Sequence, residues 1–327
     1  KDLGAAEADL ALPLARALAA AGRSKDVVDR LAGVTLRDPK QQAELQVELA
    51  SALLTMGQNE RAESAVASAL SADPANTDAR LMQARLTASK GDVDAAFQQA
   101  EALLADNPKD AAALHLKGEL LLLGRNDLKA AAPVFESALA ADPRYVPAHL
   151  ALMNISVRRN DVPGYEKQVK ALQTALPRHP ETLFAEIQLA LVKNDVPAAK
   201  EKSERLLLLA PDNARALYFA GVTQLRAKSL VVAEGHLAKA VQQAPQAAEP
   251  RRVLAQLHLD NGNAPRALDV LSPLLAATPA DSQALQIAGK AELQQGRLPQ
   301  AEAYFQRAVA AKPDNTQART ALALAHA

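Results

Sequence analysis

SQALQIAGKAELQQGRLPQAEAYFQRAVAAKPDN, Ser282 to Asn315, is the stretch whose reading decides the fold. It is 34 residues long. Its small Gly289, turn residue Gly296, Ala301, Phe305, Ala308 and closing Pro313 have counterparts upstream at near-constant spacing. The proline falls at Pro39, Pro74, Pro108, Pro143, Pro177, Pro211, Pro245, Pro279 and Pro313, in steps of 35, 34, 35, 34, 34, 34, 34 and 34. The turn position keeps the same beat through Gly22, Gly57, Gly91, Asn126, Asn160, Asn194, Lys228, Gly262 and Gly296. Gly and Asn enter the left-handed region at low cost, as a helix C-terminus needs. Proline lacks an N–H and ends the second helix. A period of 34 with these marks predicts a helix–turn–helix repeat, hence an all-α solenoid.

The repeat resembles the tetratricopeptide family. Counting each unit from 1 to 34, that family wants a small residue at 8, Gly at 15, Ala at 20, an aromatic or aliphatic at 24 and Pro at 32. Position 8 here reads Ala15, Ala50, Ala84, Gly118, Met153, Ile187, Gly221, Ala255 and Gly289. Position 20 reads Val27, Ala62, Ala96, Ala131, Tyr165, Ala199, Ala233, Ala267 and Ala301. The resemblance implies a right-handed superhelix of nine repeats with neighbour contacts only.

The expected units are 8–41, 42–76, 77–110, 111–145, 146–179, 180–213, 214–247, 248–281 and 282–315. Residues 1–7 read as the end of a preceding repeat, and 316–327 as a partial first helix or a capping helix. Two units carry an extra residue, expected near Gln42 in a loop and in the turn Gly124-Arg125-Asn126. With no Gly- or Ser-rich linker, the array is expected to be continuous, without a second domain. Met153 and Ile187, large where a small residue is usual, are expected to push their helices apart.

Composition narrows the function. The 327 residues are 49% hydrophobic, 23% charged and 3% aromatic, with no Trp and no Cys. Lys plus Arg and Asp plus Glu are 37 each, which argues against the basic stripe of a nucleic-acid binder. No disulfide or thiol chemistry is available without cysteine. No apolar run approaches a membrane span. There is no initiator Met, and the chain opens inside a helical pattern, so a piece of a longer protein is expected. No phosphate loop, nucleophile elbow or metal-ligand run appears, so no catalytic, cofactor or metal residues are expected. The register puts His149 at position 4, in the core, and His115 at position 5, toward the groove.

In tetratricopeptide repeats, first-helix positions 2, 5, 9, 12 and 13 line the concave face. Position 5 reads Leu12, Val47, Leu81, His115, Leu150, Phe184, Tyr218, Arg252 and Gln286. The resemblance therefore implies a groove for a protein or peptide segment, with Leu150, Phe184 and Tyr218 as candidate anchors and Arg158 and Arg226 on the rim. The alternative is that Phe184 and Tyr218 fill core space and never face solvent. The chaperone-binding carboxylate clamp is absent, since position 5 holds no Lys and Asn154 alone carries Asn at position 9.

A narrower resemblance is carried by Leu12-Pro13-Leu14-Ala15-Arg16-Ala17-Leu18, Leu36-Arg37-Asp38-Pro39, Arg251-Arg252-Val253-Leu254-Ala255 and Ala267-Leu268-Asp269-Val270-Leu271-Ser272-Pro273-Leu274-Leu275. These stretches resemble the tetratricopeptide-repeat lipoprotein of the PEP-CTERM/exosortase system. That resemblance implies a non-enzymatic scaffold in exopolysaccharide or PEP-CTERM protein export and in biofilm or floc matrix. It implies a periplasmic or outer-membrane location through a lipid-bearing Cys upstream of Lys1. The rival readings are a scaffold of alginate or cellulose export, a cytoplasmic assembly adaptor, and an enzyme whose catalytic domain lies elsewhere.

Overall fold

The computed structural model describes residues 3–325, with side chains described for 10–323. Among these residues the chain is all helix, with no strand. It divides into two compact units, Lys1–Ala175 and Leu176–Ala327. The division falls beside the two units whose position 8 is large.

The first unit contains α1 (Leu3–Ala20), α2 (Ser24–Leu31), α3 (Pro39–Thr55), α4 (Asn59–Ala72), α5 (Thr77–Ser89), α6 (Val93–Asp106), α7 (Ala111–Glu119) continued by a π turn (Leu120–Gly124), α8 (Leu128–Ala141), α9 (Val146–Arg158) and α10 (Val162–Ala175). The second contains α11 (Pro180–Val192), α12 (Val196–Leu209), α13 (Ala214–Arg226), α14 (Leu230–Gln243), α15 (Ala248–Asp260), α16 (Ala264–Ala277), α17 (Ser282–Gln294), α18 (Leu298–Ala311) and α19 (Thr316–Ala325). No described helix is long and apolar enough to cross a membrane.

Odd- and even-numbered helices pack as hairpins across three-residue turns. Each predicted turn residue sits at positive φ, from 52° at Asn126 to 93° at Gly91. Lys228, at 59°, holds the same conformation with neither Gly nor Asn to ease it. Side-chain caps start many helices: Asn76, Asp110, Asn213 and Asp281 accept from the backbone N–H three residues on.

Inside a hairpin the two helices meet where position 8 faces position 24. A Cβ on Gly118 would lie 2.5 Å from Phe135, one on Gly289 2.5 Å from Phe305, and one on Gly221 2.6 Å from Leu237. Those distances are below any real Cβ contact, so glycine is what admits the large residue. Ile187, fully buried, has Ser203 sixteen residues on. The hairpins of Met153 (α9 with α10) and Ile187 (α11 with α12) are nonetheless the least closely packed from α3 onward, as the large residue at position 8 implies. The Ser203 hydroxyl is satisfied by the Ala199 carbonyl at 2.7 Å and by Thr223 Oγ1 at 3.1 Å.

Four expectations need correction. Pro39 does not close a second helix: α2 ends at Leu31, and Pro39 opens α3 with Asp38 as its cap. Gln42 lies inside α3, whose 17 residues absorb the extra length, and not in a loop. The other extra residue is taken up by the π turn Leu120–Gly124, where Arg125 N–H donates to the Leu120 carbonyl at 3.1 Å, and not by the turn after it. Residues 3–7 are continuous with α1 and so do not end a separate repeat; residues 1–2 lie outside the described residues.

Gly118→Ala should therefore destabilise the first unit by about 1–3 kcal/mol through overpacking. Phe135→Leu in the same chain should recover part of that loss. A double-mutant cycle in urea that shows no coupling between the two positions contradicts the proposed contact.

Candidate binding faces

Odd-numbered helices build one face of each unit and even-numbered helices the other. In the first unit, α7 aims His115 and Glu119, one helical turn apart, the same way. Their side chains approach to 3.3 Å, longer than a good hydrogen bond. Arg85 on α5 reaches Glu119 at 3.9 Å. His115 is buried, not groove-exposed, with its ring 5.4 Å from Phe135 and edge-on to Tyr145 at 5.6 Å. Burial pushes the Glu119 carboxyl up, but His115 and then Arg85 outweigh it and hold it below the ordinary value. Burial pushes the Tyr145 phenol up against the opposing charge of Arg85.

Beside this network the π turn opens a pocket of about 500 Å³, with Arg85, Ser89 and Glu119 at its rim and Val93, Leu120 and Leu123 on its walls. The turn also brings Gly124 against Val93, where a Cβ would come within 2.5 Å. Leu150, on α9, is half-buried, and Arg158, the last residue of α9, is exposed with no ion pair among the described residues. Eight residues of helix, about 12 Å, separate these two.

In the second unit Phe184 is buried on α11. The Arg215 guanidinium lies 4.0 Å over its ring and also binds Glu181 at 2.6 Å. Phe219 bridges the aromatics, 5.6 Å from Phe184 and 5.5 Å from Tyr218. Tyr218 is half-buried, and its hydroxyl lies 3.5 Å from Glu249. Arg252 binds Glu249 and, at 3.0 Å, Asp281. Arg226, at the far end of α13 from Tyr218, is exposed with no ion pair among the described residues. The candidate residues are thus not gathered into one cluster: Phe184 and Tyr218 share a ring neighbour, and Arg226 stands apart.

Phe219, Arg215, Glu249 and Asp281 are members of this arrangement that the position-5 series passes over, while Arg252 belongs to that series. The signal lies at position 2, where Glu181, Arg215 and Glu249 alternate in sign at the repeat period. Among the described residues no group of three His, Cys, Asp or Glu is placed to hold a metal.

Repeated hairpins with left-handed turns, a small residue against a large one, and a charged first-helix face define a helical-repeat class. The chain belongs to the tetratricopeptide repeat family, whose model matches residues 47–111, 98–146, 184–248 and 252–327. Among solved structures it is similar to the crystal structure of the APC/C hetero-tetramer Cut9-Hcn1, 16% identical, with a TM-score of 0.65. The match covers 91% of this chain but spans only 58% of that one. The crystal structure of MamA is 19% identical, covering 51% of this chain and 97% of that one, with a TM-score of 0.42. YrrB, described as a TPR protein with an unusual peptide-binding site, is 19% identical over 68% of this chain and 96% of that one, with a TM-score of 0.37. No curated protein matches the chain.

Burial, and then the Glu249 carboxylate, push the Tyr218 phenol up to about 12 from its ordinary 10.0. The folded state then holds that proton more tightly than the unfolded chain. The resulting stabilisation is intact below pH 10.0 and is lost as pH climbs toward about 12. In an ultraviolet titration of the four tyrosines, Tyr218→Phe should remove a phenolate that forms well above pH 10. An unchanged high-pH limb contradicts the raised Tyr218 phenol.

Proposed function

We propose that this chain is a non-enzymatic scaffold that holds acidic or carboxyl-bearing protein segments on the faces built by its odd-numbered helices. One observation supports this most. Arg85, Arg215 and Arg252 are matched to carboxylates of their own unit, whereas Arg158 and Arg226 are exposed and unmatched. Unpaired rim cations steer and orient an anionic partner. Half-buried Leu150 in the first unit, and Tyr218 above buried Phe184 in the second, supply apolar and aromatic contact on the same faces.

The setting we propose is the bacterial envelope, in exopolysaccharide or PEP-CTERM protein export and biofilm or floc matrix. An upstream lipid-bearing Cys would hold the scaffold in the periplasm or at the outer membrane. This part rests on the four short stretches that resemble the exosortase-associated lipoprotein.

Panning a random peptide library on the whole chain tests the binding reading. Selected peptides should be acidic and should bind an Arg158→Glu/Arg226→Glu variant about tenfold more weakly, a difference of about 1.4 kcal/mol. Neutral peptides, or equal affinity for the variant, overturn it. For the setting, deleting the gene in its host should lower matrix exopolysaccharide without slowing growth. An unchanged matrix removes that setting and leaves the scaffold reading standing.

A further inference from the structure

We infer that the tip of the turn between α13 and α14, in the second unit, is a docking surface for an anionic phospholipid membrane. It does not rest on the scaffold reading, with which it shares only Arg226. Leu230, Val231 and Val232 open α14 and are 42%, 86% and 48% exposed. Among the described residues no other three consecutive large apolar side chains are exposed. Arg226 ends α13, and Lys228 lies in the turn itself. Both are exposed, and neither has an ion pair among the described residues.

Three departures from the repeat meet at this turn. In the four turns before it the left-handed residue is followed by Asp92, Asp127, Asp161 or Asp195, and each accepts a backbone N–H of the helix it opens. Here Ser229 takes that place, makes no such bond, and leaves the first turn of α14 without an acid. The left-handed residue is Lys228, where every other such turn has Gly or Asn. Val231 holds the place of Pro163, Pro197, Pro265 and Pro299. Together these changes exchange a carboxylate for a cation and add apolar surface that the packing does not use. Glu234, the first acid along α14, is engaged by Arg266 at 3.4 Å.

The shape and the charge together select the occupant. A peptide is gripped by a groove that surrounds its side chains, whereas Val231 projects from a convex tip. A bilayer interface is soft and takes in a protruding apolar tip, while its phosphates meet the flanking cations. The long stems of Arg226 and Lys228 keep their charges at headgroup level as the valines descend. One helical turn along, Gly235 has nothing within 4 Å of where a Cβ would stand, so α14 continues the tip as a bare surface.

The test is co-sedimentation of the whole chain with vesicles of phosphatidylcholine alone, and of phosphatidylcholine with about one third phosphatidylglycerol. The chain should sediment with the anionic vesicles, stay in solution with the neutral ones, and be released by added salt. Lys228→Gly, which suits the left-handed turn and so keeps the fold, should weaken binding about fivefold. Val231→Ser/Val232→Ser should weaken it about tenfold with helix content unchanged. Capture of acidic peptides should survive the valine change. No sedimentation with anionic vesicles, equal sedimentation with both compositions, or full binding by either variant overturns the assignment. So does self-association in light scattering without lipid that the valine change abolishes, because the tip then seats a second copy. Loss of peptide capture by the same variant overturns it too, because the tip is then a peptide contact.

Discussion

Most hairpins depend on a volume match between position 8 of the first helix and position 24 of the second. Where one is glycine the other is Phe or Leu, as at Gly118 and Phe135 or Gly221 and Leu237. Ala255 has Leu271, Ala84 has Ala100 and Ile187 has Ser203 at the corresponding places. Interiors are packed to crystal density, so a glycine here makes room for a large partner, while Ala84 with Ala100 and Met153 with Val169 depart from the match. With almost no large aromatics, closely approaching helices take the place of a single broad core. Stability in such a chain is a sum of hairpins and of their contacts with neighbours.

That economy inside leaves the faces free to differ. On the odd-helix face of the second unit, Glu181, Arg215, Glu249, Arg252 and Asp281 form an ordered series of charges over an aromatic floor. These pairs are partly buried, with the Asp281 side chain only 8% exposed against Arg252, so removing one partner strands a charge in a partly dry setting. The even-helix face of the first unit carries the opposite design: an apolar trench with a polar pair at its base. The two faces therefore carry different chemistry.

Much of the fold is legible in the sequence because its marks are backbone marks. Left-handed φ at Gly22, Asn160 or Gly296 is a property of the residue and its place in the turn, and it shows at a fixed beat. Face chemistry is less legible. Phe184 is groove-facing by register, yet Arg215 reaches across from the next hairpin and covers it. His115 is drawn inside by Phe135 and Tyr145 in the same way. Such covers come from the paired helix or the next hairpin, and their reach depends on side-chain length, which a one-helix register does not carry. Where the chain departs from its period, as at Pro39 and Gly124, the sequence shows that a residue is extra but not which element swallows it.

The π turn at the end of α7 bears on how such a chain tolerates change. One added residue is wound into the helix, so the next turn still opens at a left-handed Asn126 and α8 still runs 14 residues. The insertion is thereby quarantined within one helix, and the hairpins beyond it keep their phase. A gene built of duplicated segments can accept a single-codon slip at this kind of place, and here the slip leaves a hollow beside Leu123.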